Sequence, residues 1–186
     1  MPPAIHTHEA LYGGNPEQLS FVDPLGIMRA LGTLRDESAK KGWQIEVTME
    51  ATHHGPTSFK IPVVFVEIGS GPLEWSDSTL GEKGAKAAMA AANPLRSSTS
   101  NAVGFGGTHY PAKHTRICLE GKRAIGHVIS RHSCEGGISS TTLGQVFDKT
   151  VGGCETAVVD WRGLSGKQRH DQLLLLEEWS IEVERC

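Results

Sequence analysis

Two short stretches hold the side chains best suited to chemistry: Glu50-Ala51-Thr52-His53-His54-Gly55-Pro56-Thr57 and Phe105-Gly106-Gly107-Thr108-His109-Tyr110. Each puts imidazole, hydroxyl and glycine beside an apolar run. Imidazole transfers protons or ligates metal near neutral pH, and glycine lets a ligand approach backbone N–H groups. That is the composition of an active-site loop, not of a core element. The adjacent His53 and His54 would face opposite sides of a regular strand, whereas on a loop before Gly55-Pro56 both can face one cavity. Glu50 precedes this pair closely enough to orient an imidazole, as carboxylates do behind functional histidines. His53, His54 and His109, with His8 or a carboxylate, match the nitrogen and oxygen preference of zinc. No His-Glu-x-x-His or equivalent spacing fixes a geometry, so zinc enters only as a candidate cofactor.

These loops need elements to position them. Asp23-Pro24 followed by apolar residues at 25, 27, 28, 31 and 34 predicts a helix with an Asp N-cap, closing at Gly42. Trp43 to Met49 alternates apolar and polar residues, the pattern of a half-buried strand, and runs directly into the His-His-Gly-Pro loop. Ile61 to Ile68 is a continuous β-branched run that predicts a central strand covered on both faces. Glu67 inside that run needs a partner or a raised pKa if it is buried. An alanine-rich helix is expected over 79–92 and a short strand over 102–105, feeding the second motif. Farther on, strands at 124–129, 157–161 and 181–183 alternate with helices at 140–149 and 166–179. The alternation predicts an α/β fold, one domain with helices on both faces of its sheet. In such sheets ligands bind beyond the C-terminal ends of strands, where both motifs fall.

Composition narrows the partners. A chain of 186 residues, 38% hydrophobic and 21% charged, suits one soluble domain with a real core. A formal charge of -3 argues against wholesale nucleic-acid binding, so no DNA partner is expected. Two local basic groups could still meet phosphates: Lys113, His114, Arg116, Lys122 and Arg123, and Arg162, Lys167 and Arg169 beside a glycine-rich turn. Cys118, Cys134, Cys154 and Cys186 are scattered, with no C-x-x-C pair, which fits small core residues in a reducing compartment. The N-terminus lacks a signal-peptide core and apolar runs fall short of the about 18 residues a bilayer span needs, so a cytoplasmic protein without a membrane partner is expected. Oligomeric state leaves no signal in the sequence.

The motifs resemble the archaeal and plant type of D-aminoacyl-tRNA deacylase. The resemblance rests on residues 50–57, on Val66-Glu67-Ile68-Gly69-Ser70 with Glu74-Trp75, on Gly106-Gly107-Thr108-His109-Tyr110, on Gly126-His127-Val128, and on Val159-Asp160-Trp161-Arg162-Gly163 with Gly166 and Arg169. It implies hydrolysis of the ester joining a D-amino acid to tRNA, a phosphorylase/peptidyl-tRNA hydrolase-like fold with a mixed sheet, and zinc association. Family members carry a further N-terminal segment ahead of the position matched by Thr7-His8, so the chain is expected to be an N-terminally shortened single domain. This chain also reads Tyr110-Pro111-Ala112 where the family pattern has Tyr-Ala-Pro.

The leading expectation is therefore an ester hydrolase in which His53, His54, Thr108, His109 and Glu50 are catalytic, His53, His54 and His109 being the candidate metal ligands. Thr52, Gly55, Glu67, Gly106, Gly107, Tyr110, Lys113 and Arg169 are expected to bind substrate, with amides near Gly55, Gly106 and Gly107 receiving the oxyanion. The substrate is tRNA or, on a repurposed pocket, a small metabolite undergoing hydrolysis, isomerisation or cyclisation. A non-catalytic binding module is the third reading, disfavoured by three clustered histidines.

Overall fold

The apolar runs that follow residue 100 pair into the sheet, and the two longest apolar stretches before it do not. The computed structural model describes residues 14–39, 45–51, 55–69, 71–94, 97–135 and 137–186. Its elements are α1 (Pro24–Ala39), α2 (Pro72–Ser76), α3 (Ser78–Ala92), β1 (Asn101–Phe105), α4 (Ala112–Leu119), β2 (Ala124–Ile129), α5 (Ser140–Asp148), β3 (Thr156–Val159), α6 (Gly166–Glu178) and β4 (Glu182–Arg185). The strands lie in the order β2-β1-β3-β4, and every described pair is parallel. This is the α/β class that the alternation of elements predicts.

Each face of the sheet has its own apolar layer. On one, Val103, Phe105, Ile129, Ala157 and Val159 pack with Leu143 and Val146 of α5 and Leu176 of α6. On the other, Ala102, Ile125, Val128 and Val158 meet Ile27 and Leu31 of α1 and Cys118 of α4. Alternate strand residues feed opposite layers because side chains on a strand point to opposite faces. One extra residue in β2 shifts the register, so that Ala102 pairs with Ile125 but Gly104 with Val128.

Local chemistry fixes the helix ends. Asp77 caps α3 by accepting from Thr79 N at 2.7 Å and Leu80 N at 3.3 Å. Ser165 and Gln168 form a reciprocal capping box on α6. Arg29 of α1 donates to the carbonyls of Ala90 and Ala91 at 3.0 Å, placing a cation at the negative end of α3. The Asp23 carboxylate, expected to cap α1, takes Arg29 at 3.1 Å. Among the described residues no helix is long and apolar enough to cross a membrane.

Two expected strands are corrected. Residues 61–68 form an extended segment outside the four-stranded sheet, with a bridge between Pro62 and Phe21, and Ile61 is 65% exposed. Glu67 is accordingly exposed and needs no buried partner. Composition alone cannot tell a buried strand from an apolar segment that never finds a ladder. Residues 45–51 alternate as expected, with Met49 and Ala51 buried, yet lie along α4 instead of joining the sheet. Met49 N donates to Thr115 Oγ1 at 3.0 Å, and the Thr48 and Thr115 hydroxyls are 3.2 Å apart. α4 itself was not expected from sequence.

Two buried histidines bear on stability. His114 on α4 donates from Nε2 to Val158 O at 3.0 Å, and a Cβ at Gly104 would sit 2.9 Å from its ring. His127 on β2 is fully buried, and among the described residues neither ring nitrogen has a hydrogen-bond partner. Burial, with the positive charge of Lys149 nearby, pushes the His127 imidazole down to about 3.

Gly104→Ala should cost about 1–3 kcal/mol in urea denaturation, because the bonded His114 ring cannot give way. His127 stays neutral in the fold while the unfolded chain takes up a proton near an ordinary value of about 6.5. Its stabilising contribution is complete above that value and is lost as pH falls toward 3, at up to about 1.4 kcal/mol per pH unit. His127→Leu should flatten the fall in urea midpoint below about pH 6.5 by one proton's worth. An unchanged slope would mean that the folded protein already holds that proton.

Candidate active site

Because the described strands are parallel, β1, β2, β3 and β4 all end at one edge, and the residues just past them form a single surface. The ladder runs on beyond the assigned strands: Gly106 N donates to Ile129 O at 2.8 Å, Asp160 N to Phe105 O at 2.8 Å and Cys186 N to Val159 O at 3.0 Å. Gly106 and Gly107, with φ of +83° and +82°, then turn the chain outward through a region that side chains rarely enter. Thr108, His109 and Tyr110 emerge exposed, just before α4 begins.

The segment leading to the first motif meets them there. Ala51 N donates to His109 O at 2.7 Å. The Glu50 carboxylate lies 2.5 Å from His109 Nε2. Glu50 is mostly buried, at 14% exposure, while His109 keeps 46% of its side chain open to solvent. A buried carboxylate thus holds an exposed imidazole, the arrangement that fixes tautomer and ring orientation. The Tyr110 ring stands edge-on to His109 at 4.9 Å. Thr108 Oγ1 donates to Tyr110 O at 2.8 Å, so its hydroxyl shapes the turn.

Thr52, His53 and His54 lie outside the described residues, as does His8. Their flanks are placed: Ala51 against His109, and Thr57 buried with its hydroxyl accepting from Asn15 N at 2.9 Å. Gly55 is half-buried before Pro56. Among the described residues no three His, Cys, Asp or Glu side chains gather closely enough to hold a metal. Of the expected zinc ligands only His109 is described, and its Nε2 faces Glu50. No chemical step is assigned to a metal on this donor set.

Several expected substrate contacts have structural partners instead. Gly106 gives its N–H to Ile129, so it cannot also receive an oxyanion. Gly107 N lies against Gly163, where a Cβ would come within 2.6 Å of it. Lys113 donates to Asp160 Oδ1 at 2.6 Å and to the backbone oxygen of Cys186 at 2.9 Å. Arg169 donates to Trp161 O at 2.7 Å and lies over the Trp161 ring. His114, grouped with the phosphate-binding cations from sequence, is fully buried on α4. Glu67 sits exposed on the segment 61–68.

The residue that sequence reasoning left without a role is Asp160. Its buried carboxylate takes Lys113 from α4 and Gly163 N at 3.0 Å, beneath the Gly106-Gly107 turn. An acid directly after the apolar Ala157-Val158-Val159 run was the available signal.

With this geometry in hand, comparison with known proteins is informative. The family profile described as D-aminoacyl-tRNA deacylase matches residues 6–184. A curated D-aminoacyl-tRNA deacylase of Methanosarcina mazei is 31% identical over 94% of this chain and 57% of its own length. Those of Thermococcus kodakarensis and Aeropyrum pernix are 34% and 36% identical, over 98% and 97% of this chain and 68% and 66% of their own lengths. A crystal structure described as a conserved protein of unknown function superposes with a TM-score of 0.87 at 27% identity, covering 99% of this chain and 64% of that one. The chain thus spans between 57% and 68% of the length of these relatives. The matched span includes both histidine motifs and the strand ends that carry the Glu50–His109 pair, and the chain belongs to the D-aminoacyl-tRNA deacylase family.

Proposed function

We propose that this chain hydrolyses the ester that joins a D-amino acid to the 3′ end of tRNA. The observation that carries the reading is the Glu50–His109 pair on the C-terminal edge of a parallel sheet, in a chain of this family. With the Glu50 carboxylate accepting from Nε2–H, His109 keeps Nδ1 as its basic nitrogen, on an imidazole open to solvent.

In the proposed reaction Nδ1 takes a proton from water as the water oxygen bonds to the ester carbonyl carbon. The carbonyl π pair moves to oxygen and gives a tetrahedral oxyanion. Collapse of that intermediate breaks the bond to the ribose oxygen, which receives the proton from the imidazolium. Glu50 stabilises the charged ring between the two transfers. Of the three glycine amides expected at the oxyanion, Gly55, half-buried before Pro56 at the end of the first motif, is assigned this role. His53 and His54, which lie outside the described residues, keep the role expected from sequence, positioning or activating the water together with His109. A tRNA substrate places this work in the cytoplasm.

His109→Ala should lower kcat on D-aminoacyl-tRNA by about 10² or more with the fold unchanged by circular dichroism. Glu50→Gln, which keeps size but removes the charge, should cost on the order of 10-fold to 100-fold. The assay compares D- and L-aminoacyl-tRNA. Preference for the D form supports the assignment, whereas turnover of small esters with none on aminoacyl-tRNA would favour a repurposed small-molecule enzyme. Full activity in His109→Ala would remove this imidazole from the mechanism.

A further inference from the structure

Beside α4, on the sheet face that α1 and α4 cover, a groove of about 430 Å³ opens toward β3 and β4. Neither Glu50 nor His109 lines it. Ile117 and Val158 form an apolar floor, and Arg116, Lys122 and Arg123 supply cations around it. These are three positive groups against two carboxylates, Glu120 and Glu184. Glu120 is shared, 2.6 Å from Lys122 and 3.9 Å from Arg116. Glu184 is held by Arg123. Arg185 also borders the groove, but its guanidinium lies 4.0 Å over the Trp161 ring, on the opposite sheet face with Val183, and adds no charge to it. In a chain with a formal charge of -3, such a surplus of cations around an apolar floor is complementary to a sugar-phosphate chain.

Position agrees with charge. α4 starts just after His109, and its eight residues rise about 12 Å. Cys186, at the groove wall, accepts from Lys113 on the first turn of that helix. The groove therefore leads away from the Glu50–His109 pair over a few nucleotides' length. The other basic group offers less, because Arg169 is spent on Trp161 and Lys167 pairs with Asp171 at 3.2 Å.

We propose that the groove between α4 and the β3–β4 edge seats the phosphodiester backbone of the tRNA acceptor end while the ester lies at Glu50–His109. The proposal rests on the deacylase reading and assigns its substrate a path. It is tested on the full chain with uncharged tRNA as the probe, by fluorescence anisotropy between about 50 and 200 mM salt. Arg116→Ala/Lys122→Ala should weaken binding about tenfold or more at the low-salt end and reduce the log–log salt slope by about 1.5. Lys122→Ala alone, on an exposed turn, should give about half that slope change. KM for D-aminoacyl-tRNA should rise in both variants. Lys86→Ala on α3 should match the unaltered protein, and urea melts show that each variant folds.

If the unaltered protein binds and deacylates tRNA while both groove variants keep its affinity and slope, the groove proposal is overturned and the functional reading stands. If the unaltered protein neither binds tRNA nor cleaves aminoacyl-tRNA, the reading fails and the groove proposal with it.

Discussion

The C-terminal edge of the sheet depends on a carboxylate that touches three parts of the chain. Asp160 ends β3, receives Lys113 from the first turn of α4 and takes Gly163 N from the turn that follows it. Lys113 extends the junction to Cys186, just past β4. Burying carboxylate oxygens is costly unless they are hydrogen-bonded, and here Lys113 and the Gly163 amide satisfy them. The Gly106-Gly107 turn rests on this junction. A Cβ on Gly106 would lie 3.1 Å from Asp160 O, and one on Gly163 would lie 2.5 Å from Asp160 Oδ2. Such close packing explains why this edge is glycine-rich: it carries the Thr108-His109-Tyr110 loop on close backbone contact, with little room for side chains between.

On that base the exposed imidazole can be both accessible and oriented. His109 rides on a turn tied to β2 by the Gly106 amide, next to Phe105 whose carbonyl accepts from Asp160 N, and Glu50 arrives from a segment docked to α4 by the Thr115 hydroxyl. The two residues come from different motifs and meet because α4 serves both as the continuation of one loop and as the platform for the other. The general-base role proposed for His109 would draw on this arrangement, since an imidazole held in one tautomer need not reorganise. Cations follow the same division: Lys113 braces the site through Asp160 and Arg169 holds Trp161, while Arg116 and Lys122 border the groove beside α4.

The sequence by itself determined more of the fold than of the site. The helices α1, α3, α5 and α6 and the four strands were legible because their apolar spacing and caps are local properties, settled within a few residues. The two motifs do meet, but not for the reason the alternation suggests: the segment before the first motif stays outside the sheet and reaches His109 by docking on α4. The choice of partners was not legible. Only the tertiary structure decided that Glu50 faces His109, that Lys113 belongs to Asp160, that Gly106 spends its amide on Ile129, and that residues 61–68 stay outside the sheet. Each of these is a contact between residues distant in sequence, and which of several chemically adequate partners wins is set by packing geometry that residue types do not encode. His127 makes the same point in the core: a polar side chain next to glycine could have been exposed, and the extra residue in β2 instead accompanies a ring shut away from water. Residue type fixes what a group can do, and the fold fixes which group is near enough to do it with.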